Sequence, residues 1–287
     1  MSLSKLDLTT LAKANPYLTL GNADALVEHQ EILDSLSETD QKELATNLLF
    51  HCPDKELKAL GHAIRAIKPH DKDNGCFYHV LNRGFETRSR IKGLYDPANA
   101  HPHYLLSGAD FAADLFNEFA ELSARLLDKK ELAIACKLAL TTPQEARNSL
   151  ARNVRTAFPD SLLSTKLGAA FALRREIDVS LLGDAPYNFF LSAEFNKDSY
   201  LEFAELFQLI DDKVEEIAAK MAGTPEIKRA QVLENMIALF PGSSLVEKTT
   251  DLFAAPVKTK APVSGMFQVA SPKATSTQKD STPTNTF

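Results

Sequence analysis

A chain of 287 residues has room for one large domain or two ordinary ones, and 44% apolar with 24% charged residues is the balance of a soluble globular protein. A net charge of −6 disfavours non-specific nucleic-acid binding, and no run of eighteen apolar residues is present to span a membrane. Cys52, Cys76 and Cys136 lie at unpaired spacings and read as reduced thiols of a reducing, cytoplasmic compartment, while the opening MSLSKLDLTTL lacks the apolar core of a cleaved secretory signal.

Residues 1–68 predict an N-terminal helical bundle, with helices near 5–14, 23–36, 39–51 and 54–68 broken at Pro16 and Pro53. Residues 69–106 read as an irregular connector with two short helices, because Gly75, Gly84 and Gly93 interrupt it. This connector holds four of the seven histidines. Cys76-x2-His79 with His101-x-His103 offers four potential zinc ligands, but structural zinc sites are richer in cysteine, so solvated or hydrogen-bonded histidines are the preferred reading and no metal or cofactor is assigned. DKDNG at Asp71–Gly75 fails as a calcium loop: its glycine comes one residue early and Asn82 stands where the bidentate glutamate belongs. Two Cys–His pairs, Cys76 with His79 and Cys52 with His62, have the residue types of a nucleophile and base.

Residues 107–255 predict a duplicated helical-repeat region. TPQEARNSLARNVRTAFPDS, Thr142–Ser161, returns as TPEIKRAQVLENMIALFPGS, Thr224–Ser243, with seven identical positions. Thr142 is placed to cap a helix that starts at Pro143, with Glu145 completing a capping box, and the second copy repeats the start at Thr224 and Pro225. Apolar residues at Ala146, Leu150, Val154, Ala157 and Phe158 form one helical face. Upstream, EFAEL occurs at Glu118–Leu122 and again at Glu202–Leu206; downstream, Leu163, Lys166, Phe171 and Ala172 match Leu245, Lys248, Phe253 and Ala254. The predicted helices lie near 108–127, 129–141, 143–158 and 161–177, then 197–211, 212–222, 225–240 and 244–255. TDQKELATNLLFHCPD at 39–54 loosely echoes the repeated stretch, with Pro53 set against Pro159. The best strand-like run, YNFFLSAEF at 187–195, is explained equally well by a buried helix or loop.

Two charge patterns stand out. Asp110, Asp114, Glu118 and Glu121 make an acidic stripe, read as a solvated face because the Glu-x-x-His partners of a di-metal bundle are missing. Arg147, Arg152, Arg155, Lys166, Arg174 and Arg175 share a window whose only acid is Asp160, and they are the candidate partner-binding residues.

The tail from Pro256 has four lysines, one acid and abundant Ser, Thr and Pro, and is predicted to be disordered. Its composition resembles the C-terminal export signals of some bacterial secreted effectors, which implies an address. The fold expected is all-α: a helical-repeat, α-solenoid-like stack of antiparallel helical hairpins with an N-terminal bundle and a disordered C-terminal tail. The leading functional expectation is an interaction module that binds and regulates a protein partner, with an acidic surface opposite the arginines, as adaptor, inhibitor, chaperone-like regulator or exported effector. The alternatives are an enzyme using His79, Arg83, Arg88 and His101 in 69–104, and a helical regulator of a nucleotide-binding switch protein, which no distinctive residue pattern favours.

Overall fold

The computed structural model describes residue 10 and residues 14–66, 76–108 and 111–255. The described residues form helices and no strand. The first helical unit opens at Pro16 and contains α1 (Tyr17–Leu20), α2 (Ala23–Glu28), α3 (Gln30–Asp34), α4 (Glu38–His51), α5 (Leu57–Ala66) and α6 (Phe77–Tyr95). The second opens at Pro102 with α7 (Tyr104–Ser107), α8 (Ala113–Glu118), α9 (Ala120–Leu127), α10 (Glu131–Thr141), α11 (Arg147–Ala157) and α12 (Leu162–Glu176), which runs on through a π-helical turn, Ile177–Leu181. The third opens at Pro186 with α13 (Tyr187–Leu191), α14 (Lys197–Glu202), a 3₁₀ segment Ala204–Ile210, α15 (Val214–Met221), α16 (Arg229–Leu239) and α17 (Ser244–Ala254).

The same joints recur in each unit. Pro16, Pro102 and Pro186 are buried. The helices α2, α8 and α14 each have six residues and end at a residue of similar backbone, His29 (φ −106°), Phe119 (φ −115°) and Phe203 (φ −106°). Pro53, Pro143 and Pro225 are all extended, at ψ 144°, 147° and 133°, and each leads into a three-residue 3₁₀ turn before α5, α11 or α16. The cause is steric: proline drives the residue before it out of the helical region, so Cys52 and Thr142, both at ψ 123°, end their helices there.

Packing follows the same scheme. The helix α4 lies on α6, α10 on α12 and α15 on α17. Apolar residues repeat at the same helical steps, Leu150, Val154 and Ala157 in α11 and Val232, Met236 and Leu239 in α16. One continuous core runs through all the units, because a hairpin with one apolar face must cover it with its neighbour. The chain is therefore an all-α stack of helical hairpins.

Several expectations are corrected. Among the described residues of the expected irregular connector, 76–106, most belong instead to α6, a 19-residue helix. Gly84 and Gly93 do not break it; they are points of close approach, since a Cβ on Gly84 would lie 2.6 Å from Leu49 Cδ1 and one on Gly93 would lie 2.6 Å from Leu105 Cδ1. The N-terminal echo is real but in another register: Pro53 corresponds to Pro143, not to Pro159. The capping box at Thr142 and Glu145 is not formed. Thr142 closes α10 instead, donating its N–H to the Leu138 carbonyl at 2.9 Å, with its side chain buried. The single helices expected over 23–36, 108–127 and 197–211 are each split, at His29, Phe119 and Phe203. YNFFLSAEF contains α13 and a turn. The helix near 5–14, the DKDNG loop, Asp110 and the tail 256–287 lie wholly or largely outside the described residues.

Candidate functional site

Each identity in the repeated stretch has a structural task. Thr142 and Thr224 are buried. Arg147 and Arg229 donate Nε–H to the carbonyls of Thr142 and Thr224, at 3.3 and 3.5 Å, and lie over the rings of Phe171 and Phe253. Asn153 and Asn235 donate Nδ2–H to the carbonyls of Leu106 and Phe190, at 2.8 and 2.7 Å, and so tie α11 and α16 to the short helices that open their units. Asn153 and Asn235 thereby satisfy acceptors that the short helices leave unpaired at their ends.

The identical pairs Phe158 with Phe240 and Ser161 with Ser243 line two equivalent clefts. In the second unit Ala120, Glu121 and Ala124 of α9 face Phe158, Pro159 and Ser161 of the α11–α12 turn across a cleft of about 580 Å³. In the third unit Ala204, Glu205 and Gln208 face Phe240, Ser243 and Ser244 across one of about 480 Å³. The floors are apolar, with Leu127 and Ala157 in one and Phe207, Ile210 and Leu245 in the other. The charged lining residues are all acids: Glu121, Glu131 and Asp160 in the first, Glu205 and Asp211 in the second. The guanidinium of Arg125, 3.6 Å from Glu121, is directed to Asn47 Oδ1 at 2.7 Å and over the Phe50 ring. In the first unit Glu31 matches Glu121 and Glu205, but Asp34 accepts the Phe77 N–H at 2.8 Å and holds the start of α6 against α3. The sequence signal for the clefts was EFAEL on one wall and Phe-Pro-x-Ser on the other, which periodicity alone did not bring together.

The basic run divides in two. Arg147 and Arg174 share Asp178, at 3.6 and 2.9 Å, and Lys166 pairs with Glu202. Arg152, Arg155 and Arg175 are exposed, and among the described residues they make no ion pair. Three of the six candidates are therefore engaged inside the fold.

The connector residues do not form one ligand set. Cys76 and His79 stand at the start of α6, while His101 and His103 lie beyond its end, which a 19-residue helix places about 28 Å away. Among the described residues no group of three or more His, Cys, Asp or Glu is placed to hold a metal ion. Arg88 is buried and bonds the Cys52 carbonyl at 2.6 Å and Asp54 at 2.9 Å. His79 and Arg83 share a cavity of about 210 Å³ with Glu118, which takes Arg83 Nε–H at 2.6 Å, and His101 is elsewhere, against Tyr104.

Burial pushes the Cys52 thiol up and raises Cys136 to about 12, so neither is a ready nucleophile. Cys76 is the half-buried one of the three. Iodoacetamide at pH 8 is expected to label Cys76 in the native chain and Cys52 and Cys136 only after unfolding, as read by peptide mass mapping. Rapid native labelling of Cys136 would show that α10 opens readily.

Glu176, between the second and third units, has its carboxyl raised by burial and by the nearby Glu194, an effect that the hydroxyl of Tyr200, donating to both oxygens at 2.8 and 2.9 Å, partly offsets. A raised carboxyl in the folded chain favours folding while protonated, and that contribution fades as pH rises through the folded value. Glu176→Gln keeps an acceptor for Tyr200 and removes the charge. The variant is expected to melt higher than the parent at pH 7.5 and to match it at pH 4. Equal melting temperatures at both pH values would show that the carboxylate is well solvated.

No family model matches the chain, and no curated protein matches it. A solved structure does: that of RavA, determined as a surface entropy reduction mutant, aligns with a TM-score of 0.80 and 39% sequence identity over 88% of this chain and 78% of that one. Among the described residues no helix is long and apolar enough to cross a membrane.

Proposed function

The chain belongs to the family of RavA, and from that premise we propose that it is a protein-interaction module that binds and regulates a protein partner through its repeat surface. The observation that carries this reading is the recurrence of one cleft in two units, built each time from the same pair of sequence motifs. Packing alone explains Phe119, Phe203, Leu122 and Leu206, which are core residues. It does not explain an exposed glutamate at the same place in each unit, beyond a modest benefit at a helix start. The exposed Arg152, Arg155 and Arg175, which make no ion pair among the described residues, supply cationic groups for an acidic surface on the partner. Residues 256–287 act as an export address in this reading, on the strength of their composition, and their removal changes where the protein is found while leaving partner affinity intact.

The test is site-specific photo-crosslinking in the native cell, with the photoreactive residue placed at Ala120, Ala204, Arg152 or, as a control on the first unit, Ala59. Discrete adducts with one polypeptide at the repeat positions and none at Ala59 are expected. Absence of adducts at every repeat position, with the protein present and folded, would overturn the reading.

A further inference from the structure

We propose that the two clefts together take a single cationic segment of the partner, with a large apolar side chain seated in each cleft and lysine or arginine beside it. This rests on the interaction-module reading and names the chemistry of what is bound. The charge argument is direct. Neither cleft is lined by a lysine or arginine, while Glu121, Glu131 and Asp160 rim one and Glu205 and Asp211 the other. An acidic or phosphorylated ligand would meet repulsion on both rims, and a neutral one would leave the rims unmatched. The apolar argument is equally local. Phe158 and Phe240 form the inner wall at the same point of each cleft, edge-on to Phe116 and Phe207 with ring centroids 5.0 Å apart in both, so an aromatic or long aliphatic side chain finds a rigid surface to pack on.

The pairing follows from the repeat. Clefts built from the same walls in successive units present the same chemistry twice, and one segment that reaches both binds its second anchor at high local concentration. The turn that would form the matching wall in the first unit, between α5 and α6, lies largely outside the described residues, so the proposed pair is confined to the clefts of the second and third units.

The experiment is selection of random peptides displayed on phage against the full chain, scored against Glu121→Arg, Glu205→Arg, and the milder Glu121→Gln and Glu205→Gln. These glutamates are exposed, so the variants should keep the circular dichroism and melting behaviour of the parent. Enriched peptides are expected to carry Lys or Arg next to Phe, Leu, Met or Trp, and to bind at least about tenfold more weakly to each reversal variant, with a smaller loss for each Gln variant. Enrichment of acidic or uncharged peptides, binding unaffected by either reversal, or no enrichment would each overturn the proposal. Enriched peptides that match the chain's own segment 256–287 would assign the clefts to that segment and overturn the partner assignment. Peptides that bind elsewhere on the repeats would leave the interaction-module reading standing and remove this one.

Discussion

Replacing Phe189 by alanine is expected to cost about 3–5 kcal/mol, the range for emptying a buried aromatic site. Phe189 is fully buried in α13. Its ring stacks on Tyr200 with centroids 5.2 Å apart and meets Phe190, Phe195 and Phe207 edge-on. Phe190 and Phe207 in turn contact Phe240, the inner wall of the third-unit cleft. The loss should therefore concentrate in the third unit, because repeat stability is a sum of unit and neighbour terms. Hydrogen exchange is expected to show amides in 187–254 losing protection while those in 38–66 keep theirs. Uniform loss along the chain would show that the units fold as one cooperative block.

Gly84→Val should cost about 2–3 kcal/mol through overpacking. Gly84 is where α6 crosses α4, and its missing side chain leaves room for Leu49 Cδ1 and for Phe119 Cε1, which would lie 2.6 and 2.9 Å from an added Cβ. Phe119 belongs to the second unit, so the substitution loosens the seam between the first two. Gly168 is the contrast: it lies exposed in α12, and an added Cβ meets nothing within 4 Å. Gly168→Ala should stabilise by about 0.5–1 kcal/mol, the ordinary gain from alanine in a helix. Urea unfolding of the two variants checks both signs. A neutral Gly84→Val would mean that the α4–α6 crossing adjusts freely.

The all-α class and the later repeats were legible because proline, threonine and phenylalanine mark the joints that packing requires, and these recur at Thr142–Ser161 and Thr224–Ser243. The first unit was obscured for a physical reason. Its joint is Cys52-Pro53 rather than Thr-Pro, and its carbonyl at Cys52 is met by Arg88 from α6 instead of by an arginine at the start of the next helix. Gly84 misled in the other direction, since glycine in a helix signals a break unless the helices that press on it are known. The arginine run was visible as charge, but which members were free depended on Asp178 and Glu202. The clefts could not be read at all until folding brought Glu121 beside Phe158 and Glu205 beside Phe240.

Affinity for a partner captured at Ala120 or Ala204, compared across the parent, Glu121→Arg, Glu205→Arg and the double variant, tests most directly whether the two clefts form one binding surface. Each single reversal is expected to weaken binding at least about tenfold, by removing one of two linked anchors, and the double reversal to abolish it. Parent-like affinity of both single variants, with their folds intact, would contradict that surface.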